Sequence, residues 1–130
     1  MQQADLRLAN TRLELNADGR GQDNGDRVGR ADTGDATIFV RASQPVILNN
    51  EFIDNGAAAI SIDINSFSAS EVFDPGRATG GIDATRIAGN SGPLVEGNAI
   101  QDNELNGMIV RGGQLATAGV LDDVDIVHVV

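Results

Sequence analysis

The chain has 130 residues, of which 41% are hydrophobic and only 3% aromatic, and its formal net charge at pH 7 is −10. This length suits a single domain, residues 1–130, with a real core, whereas the acidic balance argues against nucleic-acid binding, which depends on neutralising phosphates. There is no cysteine, so neither a disulfide framework nor thiolate chemistry is available. No apolar run approaches the ~20 residues that a membrane-spanning helix needs, which argues against membrane insertion.

The first apolar segment, ADLRLANTRLEL at 4–15, places leucines at alternate positions. This pattern is typical of one bent strand or of two short ones. The residues before it, MQQ, and those of its first half lack the basic and apolar regions of a signal peptide. We therefore expect the sequence to be a segment of a longer exported chain, located outside the cell or at its surface.

The next segment, 16–35, has almost no apolar residue and five glycines, which predicts an irregular surface loop. Oxygen-bearing side chains lie close together in it, with glycines between them: Asp18, Asp23, Asn24 and Asp26. A loop of this composition can fold its oxygen ligands around a hard cation, so these four residues are candidate Ca²⁺ ligands. A solvated, turn-rich loop without metal explains the same pattern more simply.

Short apolar strands then recur at a nearly constant step. The step from Ile38, in the strand ATIFV, to Ile60 equals the step from Ile60 to Ile82, and the steps from Leu15 to Ile38 and from Ile82 to Met108 are only slightly longer. Steps this even predict a chain that coils and stacks on itself. The predicted inner columns are Ile38, Ile60, Ile82 and Met108, and beside them Val40, Ile62, Ala84 and Val110.

Two longer stretches, 45–63 and 93–111, match without a gap, which aligns Asn50 with Asn98 and Asn55 with Asn103. We interpret the offset between them as two coils, the second slightly longer than the first, with the extra residues at 88–92. Asparagine is expected in the turns because it tolerates left-handed backbone and satisfies local backbone groups.

The segment 65–81 is rich in Ser, Gly and Pro, which predicts a second irregular loop within the repeat. Its apolar residues are expected to fold back over the core, namely Phe67, Val72 and Phe73. The apolar segment 124–130 predicts a strand whose exposed edge pairs with another copy or with flanking coils of the same chain. His128, the only histidine, is interpreted as a structural residue of that strand.

The stretches VILNNEFIDNGAAAISID and VEGNAIQDNELNGMIVRG resemble coils of the right-handed parallel β-helix of the pectate-lyase-like superfamily, as found in large bacterial secreted or surface proteins. The resemblance implies an all-β chain that forms a right-handed parallel β-helix of about five coils. A β-sandwich is the alternative fold.

Many members of that superfamily bind or cleave polysaccharides in a groove over one column of strands. The resemblance therefore implies outward-facing rows in this chain, Arg41, Asp63, Thr85 and Arg111, flanked by Phe39, Ser61, Asp83 and Ile109. A lyase also needs carboxylates for Ca²⁺ and a basic residue that removes a proton, for which the candidates are Asp63, Asp83 and Arg86. Favourable cross-strand Arg–Asp pairing explains these positions without catalysis.

The chain has no Trp or Tyr, the residues that usually form a platform for sugars. We therefore expect a non-catalytic structural or adhesive module of a secreted or cell-surface bacterial protein, which associates with itself end to end. The alternative is a carbohydrate-active domain that binds or cleaves acidic polysaccharide with Ca²⁺.

Overall fold

The regular structure is almost entirely β-strand, as the all-β prediction requires. A computed structural model describes residues 6–17, 36–41, 43–67, 92–114, 118–120 and 124–130. Within those ranges one 3-10 helix, η1 (Ile64–Phe67), accompanies ten strands: β1 (Arg7–Ala9), β2 (Arg12–Glu14), β3 (Ala36–Val40), β4 (Val46–Leu48), β5 (Glu51–Ile53), β6 (Ala58–Asp63), β7 (Leu94–Glu96), β8 (Ala99–Gln101), β9 (Leu105–Arg111) and β10 (His128–Val129).

The strands form three sheets in which every pairing is parallel. Sheet 1 has the order β1-β4-β7, sheet 2 the order β2-β5-β8, and sheet 3 the order β3-β6-β9-β10. The chain visits the sheets in the same sequence each time, so β1–β3, β4–β6 and β7–β9 form three successive layers. A bridge between Val95 and Val124, together with β10, adds a partial fourth layer. This arrangement is compatible with a parallel β-helix.

The offset between the two matching stretches is a single step between neighbouring layers. Ile60 pairs directly with Met108 and Ile62 with Val110, and β4 and β5 pair with β7 and β8 in the same way. The prediction that Ile82 and Ala84 lie between these pairs is therefore wrong, because adjacent hydrogen-bonded strands are only about 4.8 Å apart and admit no strand between them. Ile82 and Ala84 themselves lie outside the described residues.

The predicted step from Ile38 to Ile60 is confirmed, because these two residues pair between β3 and β6. In sheet 2 the paired residues of the same two layers, such as Leu13 and Phe52, are more residues apart in sequence than Ile38 and Ile60 are. The reason is that the segment between β2 and β3 is longer than the segment between β5 and β6. Leu15 does not belong to the inner column with Ile38: it lies at a bend after β2 and is 79% exposed.

The inward side chains of the three sheets form one aliphatic core. In each sheet the middle residues of the strands stack on one another, as Leu8 does on Ile47 and Ile47 on Val95. Burying one aliphatic side chain of this size contributes about 2 kcal/mol to folding. The core residues are Ile38, Val40, Ile47, Phe52, Ala59, Ile60, Ile62, Phe67, Val95, Met108, Val110 and Ile126.

Each layer bends twice, and every one of these bends contains a residue with positive φ. The first bend joins sheet 1 to sheet 2, and the second follows sheet 2. Asn, Asp and Gly enter this left-handed region most readily, and they occupy all positions but one. The residues are Asn10, Asn49 and Gly97 at the first bend and Leu15, Asp54 and Asp102 at the second.

An inward-facing asparagine follows the bend in most cases and bonds the preceding layer. At the first bend, the backbone N–H of Asn50 donates to Oδ1 of Asn98 at 3.0 Å, and Nδ2 of Asn98 donates to the carbonyl of Ile47 at 2.9 Å. Asn50 does the same for the first layer, where its Oδ1 accepts the N–H of Thr11 at 3.0 Å. We call Asn50 and Asn98, with these hydrogen bonds, the first asparagine ladder.

The second asparagine ladder consists of Asn16, Asn55 and Asn103. Oδ1 of Asn55 accepts the N–H of Asn16 at 2.9 Å, and Nδ2 of Asn55 donates to the carbonyl of Leu13 at 3.0 Å. The N–H of Asn55 in turn donates to Oδ1 of Asn103 at 3.1 Å. The prediction of asparagines in the turns is confirmed, and their amides satisfy backbone groups that are buried away from water.

The second ladder ends within the chain. Oδ1 of Asn106 accepts hydrogen bonds from the N–H and from Nδ2 of Asn103, at 3.0 and 2.9 Å. Asn106 therefore supplies, from the same layer, the acceptor that an asparagine of a following layer would provide.

The described part of the predicted loop 65–81 is the end of η1. Phe67 is buried, as predicted, and its ring meets that of His128 edge-on with the centroids 6.5 Å apart. Val72 and Phe73 lie outside the described residues, as does nearly all of the predicted loop 16–35. The contact of Phe67 with His128 connects η1 to β10, and β10 in turn pairs with β9 in sheet 3 through His128 and Met108.

We expect Asn55→Ala to lower the free energy of unfolding by about 3 kcal/mol, because it leaves the carbonyl of Leu13 and the N–H of Asn16 without their partner. Chemical denaturation followed by circular dichroism measures this. Asn10→Gly is the matched control, since Asn10 is an exposed asparagine whose positive φ glycine adopts freely. Equal losses in the two variants would contradict the role given to the ladder.

Candidate functional site

The outer face of sheet 3 carries the polar and aromatic residues that the sequence placed there. Phe39, Ser61 and Ile109 are paired across β3, β6 and β9, and Asp63 is paired with Arg111 one row further along. Because side chains alternate across a strand, these residues point away from the core that Ile60 and Ile62 enter. The predicted outward rows are confirmed at these positions, and Thr85 and Asp83 lie outside the described residues.

Arg111 links three layers across this face. Its Nη1 donates to Oγ of Ser61 at 2.7 Å, and its Nη2 donates to the carbonyl of Val40. The guanidinium carbon lies 3.9 Å from the centre of the Phe39 ring. The side chain is only 14% exposed. Its planar guanidinium lies over the Phe39 ring and bonds Ser61 and Val40 at its edge. This geometry favours cation–π attraction.

The ion pair of Arg111 with Asp63 is the weaker part of this arrangement. Nη2 of Arg111 lies 3.9 Å from Oδ2 of Asp63, which is longer than a hydrogen bond. The pKa of Arg111 lies below its ordinary value mainly because burial disfavours the charged form; Asp63 opposes this shift and Arg41 adds to it. The hydrogen bonds to Ser61 and Val40 and the contact with Phe39 therefore fix the side chain.

Asp63 also lies directly before η1 and accepts hydrogen bonds from two of its residues. Its Oδ1 accepts the N–H of Asn65 at 3.0 Å, and its Oδ2 accepts the hydroxyl of Ser66 at 3.2 Å. This carboxylate thus satisfies backbone and side-chain donors of its own chain. Of the residues considered for lyase chemistry, Asp63 faces Arg111, and Asp83 and Arg86 lie outside the described residues.

The predicted Ca²⁺ ligands also lie outside the described residues, so that site stays a prediction: Asp18, Asp23, Asn24 and Asp26. Within the ranges that the structure describes, no three His, Asp or Glu side chains are grouped so that they could hold a metal ion.

The contact of Arg111 with Phe39 was not foreseen from the sequence. Phe39 belongs to the first layer and Arg111 to the third, and the predicted extra coil at Ile82 separated them further. The alternation of Phe39 with Ile38 and Val40 does predict an outward-facing ring. The partner becomes visible only once β6 and β9 are known to be neighbours.

The two ends of the stack form a second candidate surface. In the first layer, β2 is the outermost strand of sheet 2. Leu15, which follows β2, and Leu6, which precedes β1, are exposed. Its outward residues Arg12 and Glu14 form an ion pair, Nη2 to Oε1, of 2.9 Å. Their hydrogen bond and charge attraction lower the pKa of Glu14 and raise that of Arg12.

At the other end of the stack, Val127 in the loop before β10 is 68% exposed.

No protein-family model, no curated protein and no solved structure matches this chain. In the part of the chain that the structure describes, none of the helices has the length and the apolar character to cross a membrane.

Arg111→Lys is expected to lower the free energy of unfolding by about 1 to 2 kcal/mol, because lysine keeps the charge but loses the planar group that stacks on Phe39 and bonds Ser61 and Val40 together. Thermal and chemical denaturation provide the measurement. The control is Arg41→Lys, the same exchange at an exposed arginine that follows β3 in the first layer, with an expected change below about 0.5 kcal/mol. A loss no larger than that of the control would show that charge alone is what matters at this position.

The carboxyl of Glu14 should titrate below the range of glutamate in unfolded chains. Because its pKa is depressed in the folded state, its contribution to stability is present above the unfolded pKa and is lost as the pH falls through the folded pKa. Arg12→Gln removes the cause and is expected to raise the midpoint, as followed by NMR chemical shifts of the Glu14 side chain. An unchanged midpoint in the variant would contradict the ion pair.

Proposed function

We propose that this chain is a non-catalytic structural or adhesive module: a segment of right-handed parallel β-helix, of a secreted or cell-surface bacterial protein, that associates end to end. The observation that carries this proposal is the contrast between the interior, where polar groups bond the neighbouring layer, and the ends, where strands have no neighbour among the described residues.

The repeated contacts between layers support the structural part of the proposal. Both asparagine ladders and the direct pairing of Ile60 with Met108 repeat one pattern of contacts from layer to layer. In such a stack each layer contacts only its neighbours, so added layers extend the structure without changing it. A stack of this kind is suited to spanning distance or presenting a surface.

The outer face of sheet 3 agrees with a structural role. Arg111 and Asp63, its central charged residues, bond Ser61, Val40 and Ser66 within the chain. These bonds hold layers together, and a ligand that recruited the same groups would have to replace them. The proposal accordingly assigns these two residues to the stability of the stack.

Exposed strand edges support association. Among the described residues, β2 is the last strand at one end of sheet 2 and β10 the last at the other end of sheet 3. An edge strand offers unpaired N–H and C=O groups to another chain. Exposed aliphatic residues lie at both ends of the stack: Leu6 before β1, Leu15 after β2, Val127 before β10 and Val129 within it.

The second candidate is a domain that binds acidic polysaccharide with Ca²⁺. Its favourable observation is Phe39 on the outer face of sheet 3, an aromatic ring next to the exposed Arg41. Arg111 already covers one side of that ring at 3.9 Å, so a sugar would have only the opposite side for stacking. This is why we place the structural proposal first.

Sedimentation velocity over increasing protein concentration tests the proposal. We expect the mean molecular mass to rise with concentration. Open strand edges gain hydrogen bonds, and exposed aliphatic residues become buried, only when two copies meet. The effect should be visible in the micromolar to millimolar range that suits a small interface.

A strict monomer at the highest concentration would contradict association. Calorimetric titration with polygalacturonate, with and without Ca²⁺, separates the two candidates. Binding that requires Ca²⁺ would favour the polysaccharide function, whereas absence of binding together with association would favour the structural one.

A further inference from the structure

The edge strand β2 carries two opposite charges placed symmetrically about its middle residue. Arg12 and Glu14 flank Leu13, and their side chains are 53% and 39% exposed. On one side β2 pairs with β5; on the other side the described residues supply no strand. Within the described residues this edge is open, and it presents a short strand with a positive residue at one end and a negative residue at the other.

This pattern is complementary to itself in the antiparallel direction. When two copies of β2 pair antiparallel with Leu13 opposite Leu13, the geometry places Arg12 of each copy opposite Glu14 of the other. Opposite charges directly across an antiparallel pair attract. A two-fold axis generates both contacts at once, as in any isologous interface.

We infer that this chain forms a two-fold dimer in which β2 of one copy pairs antiparallel with β2 of a second copy. This inference rests on the proposed end-to-end association and specifies which end associates and in which direction. This contact is closed, since the two-fold axis uses the β2 edge of both copies and leaves no β2 edge for a third copy.

The opposite end of the stack is less suited to another copy. Oδ1 of Asn106 already fills the acceptor position that the second asparagine ladder would offer a following layer. At the first bend, a carboxylate oxygen of Asp125 accepts the N–H of Gly97 at 2.8 Å. The edge of sheet 2 at that end presents Ala99 and Gln101, which carry no charge.

Local charge also favours β2 as the contact. The chain as a whole carries −10, and two copies repel each other wherever acidic faces meet. The first layer is different, because Arg7 and Arg12 outnumber Glu14 in its described strands. Exposed Leu15, which directly follows β2, adds apolar area next to the same edge.

The test uses two single variants, Arg12→Glu and Glu14→Arg. Each places like charges opposite each other in the dimer, and we expect each to weaken dimerisation about tenfold or more. An equimolar mixture of the two variants restores both attractive pairs, since the two acidic residues of one chain then face the two arginines of the other. Sedimentation velocity gives the dimer fraction in each sample, and circular dichroism checks that each variant folds.

The matched control replaces the second variant with Glu51→Arg, which makes the same change of charge on β5, one strand away from the edge. Its mixture with Arg12→Glu should dimerise no better than Arg12→Glu mixed with the wild type, because one pair of like charges remains between the two chains. Recovery there would overturn the antiparallel register. The double variant Arg12→Glu/Glu14→Arg reverses both charges and should dimerise like the wild type.

The remaining outcomes separate this inference from the proposed function. A wild-type chain that is monomeric throughout would overturn both. A wild-type chain that associates, with no effect of either β2 variant but with loss of association on Val129→Glu in β10, would overturn the β2 dimer and leave end-to-end association standing.

Discussion

The stack depends on how buried backbone groups are satisfied where the chain bends. Each layer turns twice in quick succession, and at such bends the N–H and C=O groups cannot all reach a strand partner. Asn50, Asn55, Asn98 and Asn103 meet this need, because one amide both donates to and accepts from the layer next to it. An unsatisfied buried donor or acceptor costs about 1 to 3 kcal/mol, so the ladders hold the layers in one register.

Once the interior is fixed in this way, the outer side chains can reinforce it. Arg111 reaches back to Val40 and Phe39 of the first layer and bonds Ser61 of the second. These contacts are possible only because layers stack in register about 4.8 Å apart. The ladders do not provide a partner for the outermost strands. Among the described residues β2 and β10 have no strand on their outer side, so their N–H and C=O groups can bond another chain.

The even spacing of the apolar strands correctly related Ile38 to Ile60, since both lie in strands of equal pattern. The same counting placed Ile82 in the column, although Ile60 pairs directly with Met108. A spacing along the chain cannot distinguish one more layer from an inserted segment of similar length. On the outer face, Asp63 and Arg111 were predicted in one outward column with Thr85 between them, whereas they pair directly, and the contact of Arg111 with Phe39 was not predicted.

The sequence by itself determined the local features: strands from alternating aliphatic residues, bends at Asn, Asp and Gly, and the gapless match of 45–63 with 93–111. These follow from the preferences of a few neighbouring residues. Only the tertiary structure decided that the two matching stretches are adjacent layers, that Asn106 closes the second ladder and that Arg111 covers Phe39. Pairing between residues so far apart along the chain is selected by core packing and by backbone hydrogen bonds acting together, and neither can be read from a spacing alone.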